Sequence, residues 1–392
     1  MRLRLNKDSL LYKKARDIYH YCQLTGINRS DYSTKERIVI IESDDWGSIR
    51  TPSKDALIAM ERFDNAPVKD AFLRYDCLES KSDIDDLCAV LSDTKGGDGN
   101  SAVLTANFAM ANADFDKIGI NNEYHREIFT ETYKKYYGDD SLLGIVKKYR
   151  DEKLFVPQLH CLEHLNVNRW MRDLRTGKKD TVFAMKNGMY GIDSSFCKAN
   201  PFGYMDAFNY YTESEREDLA VNLKMASEWF EIIFGKKSES FTASCYVWDE
   251  YLENELKNLG ILHVQTGARQ FLPFFYSNGS MELKRVKHLM AEKNHKGIRY
   301  TVRNCAFEPS LSGNPEWSRR ECFFQVENAF HNHVPAIISS HRLNYIGSID
   351  EGNKMRNLEA LDGLLKQIVC KYPDAVFLSS DVFGGRLNKE TI

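Results

Sequence analysis

Eight short apolar or β-branched runs recur along the chain with helical stretches between them, and this alternation limits the fold more than any other feature. The candidate strands are Arg37–Ser43, Ala102–Phe108, Leu154–His160, Ser240–Tyr246, Ile261–Thr266, Tyr300–Phe307, Pro335–His341 and Ala375–Ser380. Apolar residues at helical spacing mark Glu213–Ile233, Asp249–Leu259, Ser318–Phe330 and Lys354–Val369. Strand and helix in alternation build βαβ units, whose strands pair in parallel. Seven or eight such units predict an α/β fold, a distorted (β/α) barrel of about seven parallel strands with inserted segments.

Punctuation supports these limits. Thr212 caps a helix whose first turns carry Glu213, Glu215 and Glu217 and which stops at Gly235; Asp249 opens the next and Gly260 closes it. Lys95–Asn100 (KGGDGN) reads as a loop tip and Tyr276–Ser280 (YSNGS) as a tight turn. No internal repeat or Pro/Ser-rich linker divides the chain, so residues 37–392 are expected to form a single barrel domain with a long insertion between about 50 and 150. The start, MRLRLNKDSLLYKKARDIYHYC, has no continuous apolar run behind its positive charge. It reads as an amphipathic helix and not a signal peptide, and residues 1–36 are expected to pack on the barrel as a helical segment.

Charge and cysteine usage exclude several partners. A net charge of -3 gives no basic footprint for nucleic acid, and no run approaches the ~20 apolar residues of a spanning helix. Nine cysteines, an odd number with no CxxC pair, argue against a disulfide framework and for a reducing, cytoplasmic setting.

Several strands end in the same way. IVIIES leads to Asp44 and Asp45, FVPQL to His160 and His164, AIISS to His341, SFTASCY ends at Tyr246, and AVFLSS leads to Asp381. In a parallel barrel the C-terminal strand ends open onto one face, so these groups are expected to converge there. HCLEH at 160–164 sets two imidazoles four apart, on one side of a helical turn, a spacing that suits a divalent metal. Two imidazoles and a carboxylate with an open position form a usual catalytic zinc set, and related sites take Co, Ni or Mn. Adjacent Asp44 and Asp45 repel each other unless a cation compensates them. With Asp45 as ligand, Asp44 stays ionised and free to take a proton. Blander roles exist for each: helix caps for the aspartates, packing for the histidines, core positions for the tryptophans. His331 and His333 read as structural or solvated, and Glu163 as pointing away from the metal.

The ordered set ESDDWG, HCLEH, a strand ending at Tyr246 and a late strand ending ISSH resembles the polysaccharide deacetylase family, also called the nodulation-protein-B homology fold or carbohydrate esterase family four, within the glycoside hydrolase/deacetylase barrel superfamily. The resemblance spans roughly residues 37–382, with stretched spacings. It implies Asp44 as catalytic base, Asp45, His160 and His164 as metal ligands, and His341 as general acid, with Ser339 where the family has leucine. It also implies that the Tyr246 amide meets the oxyanion. The family's third motif, Arg-x-Pro-Tyr, steadies the base; here Ala243-Ser244-Cys245-Tyr246 lacks the arginine, and Arg50, Arg303 or Arg342 is left to substitute. Trp46, Trp170, Trp248, Asn107 and Asn112 are expected to meet the sugar. The implied activity is metal-dependent removal of acetyl groups from an N- or O-acetylated sugar or polysaccharide. The alternatives are a glycoside hydrolase on a related barrel and a catalytically altered carbohydrate-binding protein.

Overall fold

The computed structural model describes residues 21–121, 123–138, 141–191, 202–276 and 280–389. Most of the expected N-terminal amphipathic helix, and the centre of the Tyr276–Ser280 turn, lie outside the described residues.

The barrel strands are β1 (Ile38–Trp46), β2 (Leu104–Ala109), β3 (Phe155–Cys161), β4 (His263–Thr266), β5 (Arg299–Val302), β6 (Cys305–Ala306) and β7 (Ala336–His341). β1 pairs in parallel with β7, from Val39 opposite Ala336 to Asp44 opposite His341, and on its other side with β2. β2 pairs with β3. From β3 the ring passes through Phe241, which bridges Leu159 and Val264, to β4 and then β5. The same segment runs on as β6, which pairs with β7. Across that junction Arg303 N donates to Thr266 O and Asn304 N to Ile337 O, so the ring closes with every pairing parallel. Val376–Phe377 adds a short parallel pair at the start of β1.

β1 is buried at all nine positions. A parallel strand covered on both faces needs such a run, and IVII supplies it. The barrel interior, by contrast, is polar: Glu42, Asn107, Gln158, Ser240, Gln265 and Arg303 are buried in one hydrogen-bonded network, and buried Thr105 joins it through Ser380. Helices cover the outside. The Thr212 side chain accepts from Glu215 N at the start of Glu213–Phe234, which ends at Gly235 in the left-handed region. Asp249 caps Glu250–Asn258, Asn314 caps Pro315–His331, and Asp350 caps Glu351–Lys371. No helix among the described residues is long and apolar enough to cross a membrane.

Three local expectations change. Ser240–Tyr246 contributes only the Phe241 bridge before a 3₁₀ turn at Ser244–Tyr246, because Cys245 and Tyr246 lie at φ 56° and 55°, which no extended strand allows. Asp381 does not join the convergent strand ends: Val376 lies opposite Ile38, at the N-terminal end of β1, and Asp381 accepts from Ser379 Oγ and pairs with Lys236. An antiparallel hairpin, Arg269–Phe275 with Met281–Lys287, flanks the 276–280 turn. Pro273 and the Lys284–Arg285 pair hide its alternation in the sequence. The stretch between about 50 and 150 supplies β2 as well as added helices, among them Lys54–Asp64, Lys81–Asp93 and Phe129–Tyr137.

That stretch is tied to the barrel by buried charge. Arg342, fully buried just after β7, donates to Asp76 Oδ1 at 2.8 Å and Glu79 Oε2 at 2.7 Å. Breaking a buried pair from one side leaves charge without a partner. Arg342→Met is therefore expected to lower the unfolding free energy by about 3–5 kcal/mol, measured by urea denaturation; a loss within experimental error would refute this account of the network.

Candidate metal centre

At the end of β1 the chain leaves strand geometry: the pairing with β2 shifts register between Ser43 and Trp46, and Asp45 sits at φ 76° with Gly47 at φ 77°. A positive φ is rare for an aspartate, and here it turns the Asp45 side chain across the barrel mouth. A Cβ on Gly47 would stand 2.6 Å from Ala109 O, so only glycine fits there. Asn112 splints this turn: its Oδ1 accepts from Ile49 N at 2.8 Å and its Nδ2 donates to Gly47 O at 2.9 Å. It is buried in that task and does not face the sugar as expected.

His160 lies on β3, and its Nδ1 donates to Thr242 O at 2.8 Å. That bond leaves Nε2 bare and aimed at Asp45 Oδ1, 3.6 Å away. His164 Nε2 stands 3.2 Å from the same oxygen. The two histidines meet through a bend between β3 and the helix Val167–Arg175, not through a helical turn. One ligand atom from each of Asp45, His160 and His164 lies within 4.8 Å of the others, and all three residues are buried. Asp45 Oδ1 and His160 Nε2 have no hydrogen-bond partner among the described residues. Buried acceptors facing one another without a donor are costly, whereas a shared cation satisfies them together. Burial pushes the His164 imidazole down to about 3, so it is neutral and able to ligate. For Asp45 burial acts upward, but the Arg50 guanidinium 3.3 Å away opposes it and favours the ionised carboxylate. The donor set thus fits a divalent ion. Glu163, inside HCLEH, turns away to Arg126 at 2.7 Å and Tyr124 at 3.1 Å.

Asp44 is gripped from the opposite strands. Arg303 Nη1 and Nη2 donate to its two oxygens at 2.6 and 2.8 Å, and Asn107 Nδ2 donates to Oδ1 at 2.8 Å. Burial would raise Asp44, but Arg303 dominates and holds it far below the carboxylate range. Of the three arginines left open by the sequence, Arg303 is the one on Asp44. Arg50 pairs instead with Asp45 and Asp76, at 3.3 Å each, and Arg342 is taken up by Asp76 and Glu79. Asn107, fully buried between Asp44 and Gln265, positions the carboxylate and is not open to a sugar.

His341 stands opposite Asp44 in the register of β1 and β7. Its Nδ1 donates to Glu308 Oε1 at 2.6 Å, and Asn344 Nδ2 holds the other Glu308 oxygen at 2.8 Å. Burial acts downward on His341, yet Glu308, with Asp45 and Asp44 behind it, raises the imidazole to about 9. Glu308 was not singled out from the sequence, although the strand-end rule that picked His341 would have found it immediately after the run Tyr300–Phe307.

Other expectations for this site need correction. The Tyr246 amide donates to Ala243 O at 2.9 Å inside the 3₁₀ turn, so it is not open to an oxyanion, while its hydroxyl accepts from Arg303 at 3.2 Å. Trp46 is fully buried, edge-on to Phe155 and bonded to Ser43. Trp248 is buried, stacked on His288 and bonded to Glu253. Trp170 is buried and bonded to Tyr190 O. None of these indoles offers a free face to a sugar.

Fold and site together define a parallel α/β barrel with an Asp-His-His cluster and an Asp44/His341 pair at the C-terminal strand ends. No family model and no curated protein matches the sequence. Among solved structures the chain is similar to a protein described as a polysaccharide deacetylase from Mycobacterium smegmatis, at 9% identity and TM-score 0.42, covering 92% of each chain. It is also similar to one described as a glycoside hydrolase/deacetylase from Parabacteroides distasonis, at 10% identity and TM-score 0.47, covering 91% of this chain and 72% of that one. A third is the 4-alpha-glucanotransferase of Thermococcus litoralis, at 9% identity and TM-score 0.44; 91% of this chain spans 41% of that one.

Purified protein is expected to carry about one equivalent of a divalent metal per chain. Asp45→Ala should lose it, as read by elemental analysis of both proteins; equal metal in the two would remove the assignment.

Proposed function

We propose that the chain is a metal-dependent carbohydrate deacetylase, removing an acetyl group from an N- or O-acetylated sugar. The observation that carries this reading is the placement of an ionised carboxylate, Asp44, opposite a protonated imidazole, His341, on neighbouring strands beside the Asp45–His160–His164 cluster. Acyl hydrolysis needs a proton acceptor for water and a proton donor for the leaving group, both within reach of one carbonyl. A divalent ion held by the cluster would supply Lewis acidity, making nearby water more acidic and drawing charge from the acyl oxygen.

The chain's own residues do the rest. Asp44 accepts the proton of the attacking water; Arg303 and Asn107 fix its plane and keep it ionised. A carboxylate so stabilised is a weak base, and the acidity that an ion held by Asp45, His160 and His164 would lend to water would offset this. His341, with Nδ1 committed to Glu308, has Nε2 as the nitrogen that delivers a proton to the leaving amine or alkoxide. Arg303 reaches Asp44 from the segment between β5 and β6 and takes the task that the resemblance gives to the arginine missing at Ala243–Tyr246. That arginine in place weighs against a site that has lost its chemistry. A glycosidase finds less support, since the group opposite Asp44 on the neighbouring strand is an imidazole, His341, and Glu42 is buried against Arg303.

Acetate release from a panel of N- and O-acetylated oligosaccharides tests this directly. Asp44→Asn should lower kcat by about 10²–10⁴-fold with metal content retained; full activity in that variant, or glycosidic cleavage in place of acetate release, would refute the proposal. The acid role also sets a pH profile. Since Glu308 raises the His341 pKa, the donor form is present at neutral pH and is lost as pH rises through that value. Glu308→Gln should move the alkaline limb of kcat/KM to lower pH, and an unmoved limb would remove His341 as the donor.

A further inference from the structure

Between β4 and β5 the chain forms a two-stranded ribbon, Arg269–Phe275 antiparallel to Met281–Lys287. It begins beside the candidate site: a Cβ on Gly267 would stand 3.1 Å from the Tyr246 ring, and Trp248 N donates to Phe271 O. Residues directly opposed in an antiparallel pair share a face. The register, with Arg269 opposite Lys287, Phe271 opposite Arg285 and Phe275 opposite Met281, therefore sets Arg269, Arg285, Lys287, Phe271 and Phe275 on one side.

All three of these cations are exposed, and none has an ion-pair partner among the described residues. Lys287 donates to the Gly26 carbonyl, at 3.4 Å. Like charges directly opposed across strands destabilise the pairing, so the ribbon keeps Arg269 and Lys287 together at a cost to itself. Arg269, Lys284, Arg285 and Lys287 against Glu282 give the ribbon a net charge of +3, in a chain whose total is -3. The aromatic row leads back toward the metal ligands. Phe271 meets Phe202 edge-on at 5.1 Å, and Phe202 lines a small cavity with Arg50, the partner of Asp45. Phe275 stacks on Tyr210 at 5.3 Å.

We propose that this face binds an anionic polysaccharide, its arginines and lysine holding carboxylate or sulfate groups of the polymer while the site acts on a neighbouring sugar. The placement rests on the deacetylase reading; the binding does not. A guanidinium donates two parallel hydrogen bonds to a pair of carboxylate or sulfate oxygens, a charge-assisted contact that neutral glycans do not offer, and the attraction weakens as salt screens it.

The test uses the full chain in affinity electrophoresis against polygalacturonate, dextran sulfate, neutral dextran and single-stranded polyuridylate. The protein should be retarded by the two acidic glycans and not by dextran, with retardation falling as salt rises from about 20 to about 200 mM. The triple variant Arg269→Ala/Arg285→Ala/Lys287→Ala should weaken that binding at least tenfold while melting as the parent does. A charge-matched control on the helices Pro315–His331 and Glu351–Lys371, Arg320→Ala/Lys366→Ala/Lys371→Ala, should retain it. Equal loss in the control, unchanged binding in the triple variant, no retardation by either acidic glycan, or equal binding of polyuridylate would each overturn the proposal. Because the readout needs no turnover, acidic-glycan binding without acetate release would count against the deacetylase reading alone, and acetate release without such binding against the ribbon alone.

Discussion

One guanidinium inside the barrel organises the site around it. Arg303 donates to Glu42, to both oxygens of Asp44, to Gln265 and to Tyr246, drawing together residues from four separate parts of the sequence. Removing two carboxylates and a guanidinium from water is expensive, and it is tolerated only where pairing and hydrogen bonding are nearly complete. Here they are: Ser380, itself held by Thr105, donates to Glu42 on its far side, and Asn107 completes Asp44. The planar fork of arginine is what makes this possible, since a lysine in the same place would meet one carboxylate and leave the other short of donors.

A second buried chain of charges supports the metal ligand. Asp45 is paired with Arg50, Arg50 with Asp76, Asp76 with Arg342, and Arg342 with Glu79. The backbone contributes as well. The left-handed turns at Asp45 and at Cys245–Tyr246 are strained positions for side-chain-bearing residues, and both stand where strands end at the barrel mouth. Strain of this kind persists only where surrounding contacts over-determine it, as Asn112 and the contact of Gly47 with Ala109 do for the first turn.

Much of the barrel was legible because its strands are short apolar runs and its helices carry ordinary caps; Thr212, Asp249 and Gly235 sit where propensity places them. The ribbon at 269–287 was not, because Pro273 and a run of basic residues break the alternation that marks a strand. Nor was the fate of the aromatics. Trp46 and Trp248 follow strand ends, as a sugar platform would, yet packing against Phe155 and His288 buries both.

For the site itself, the sequence determined which chemistry was available: two adjacent aspartates, two imidazoles four apart and a late histidine, each at the end of an apolar run. Those are local facts, set by the order of residues along single strands. Which arginine holds Asp44, which carboxylate holds His341, and whether Asn107 or the Tyr246 amide is free were decided by tertiary structure alone. Each depends on distances between segments far apart in the chain, and those distances are fixed only when barrel closure sets the register of one strand against the next.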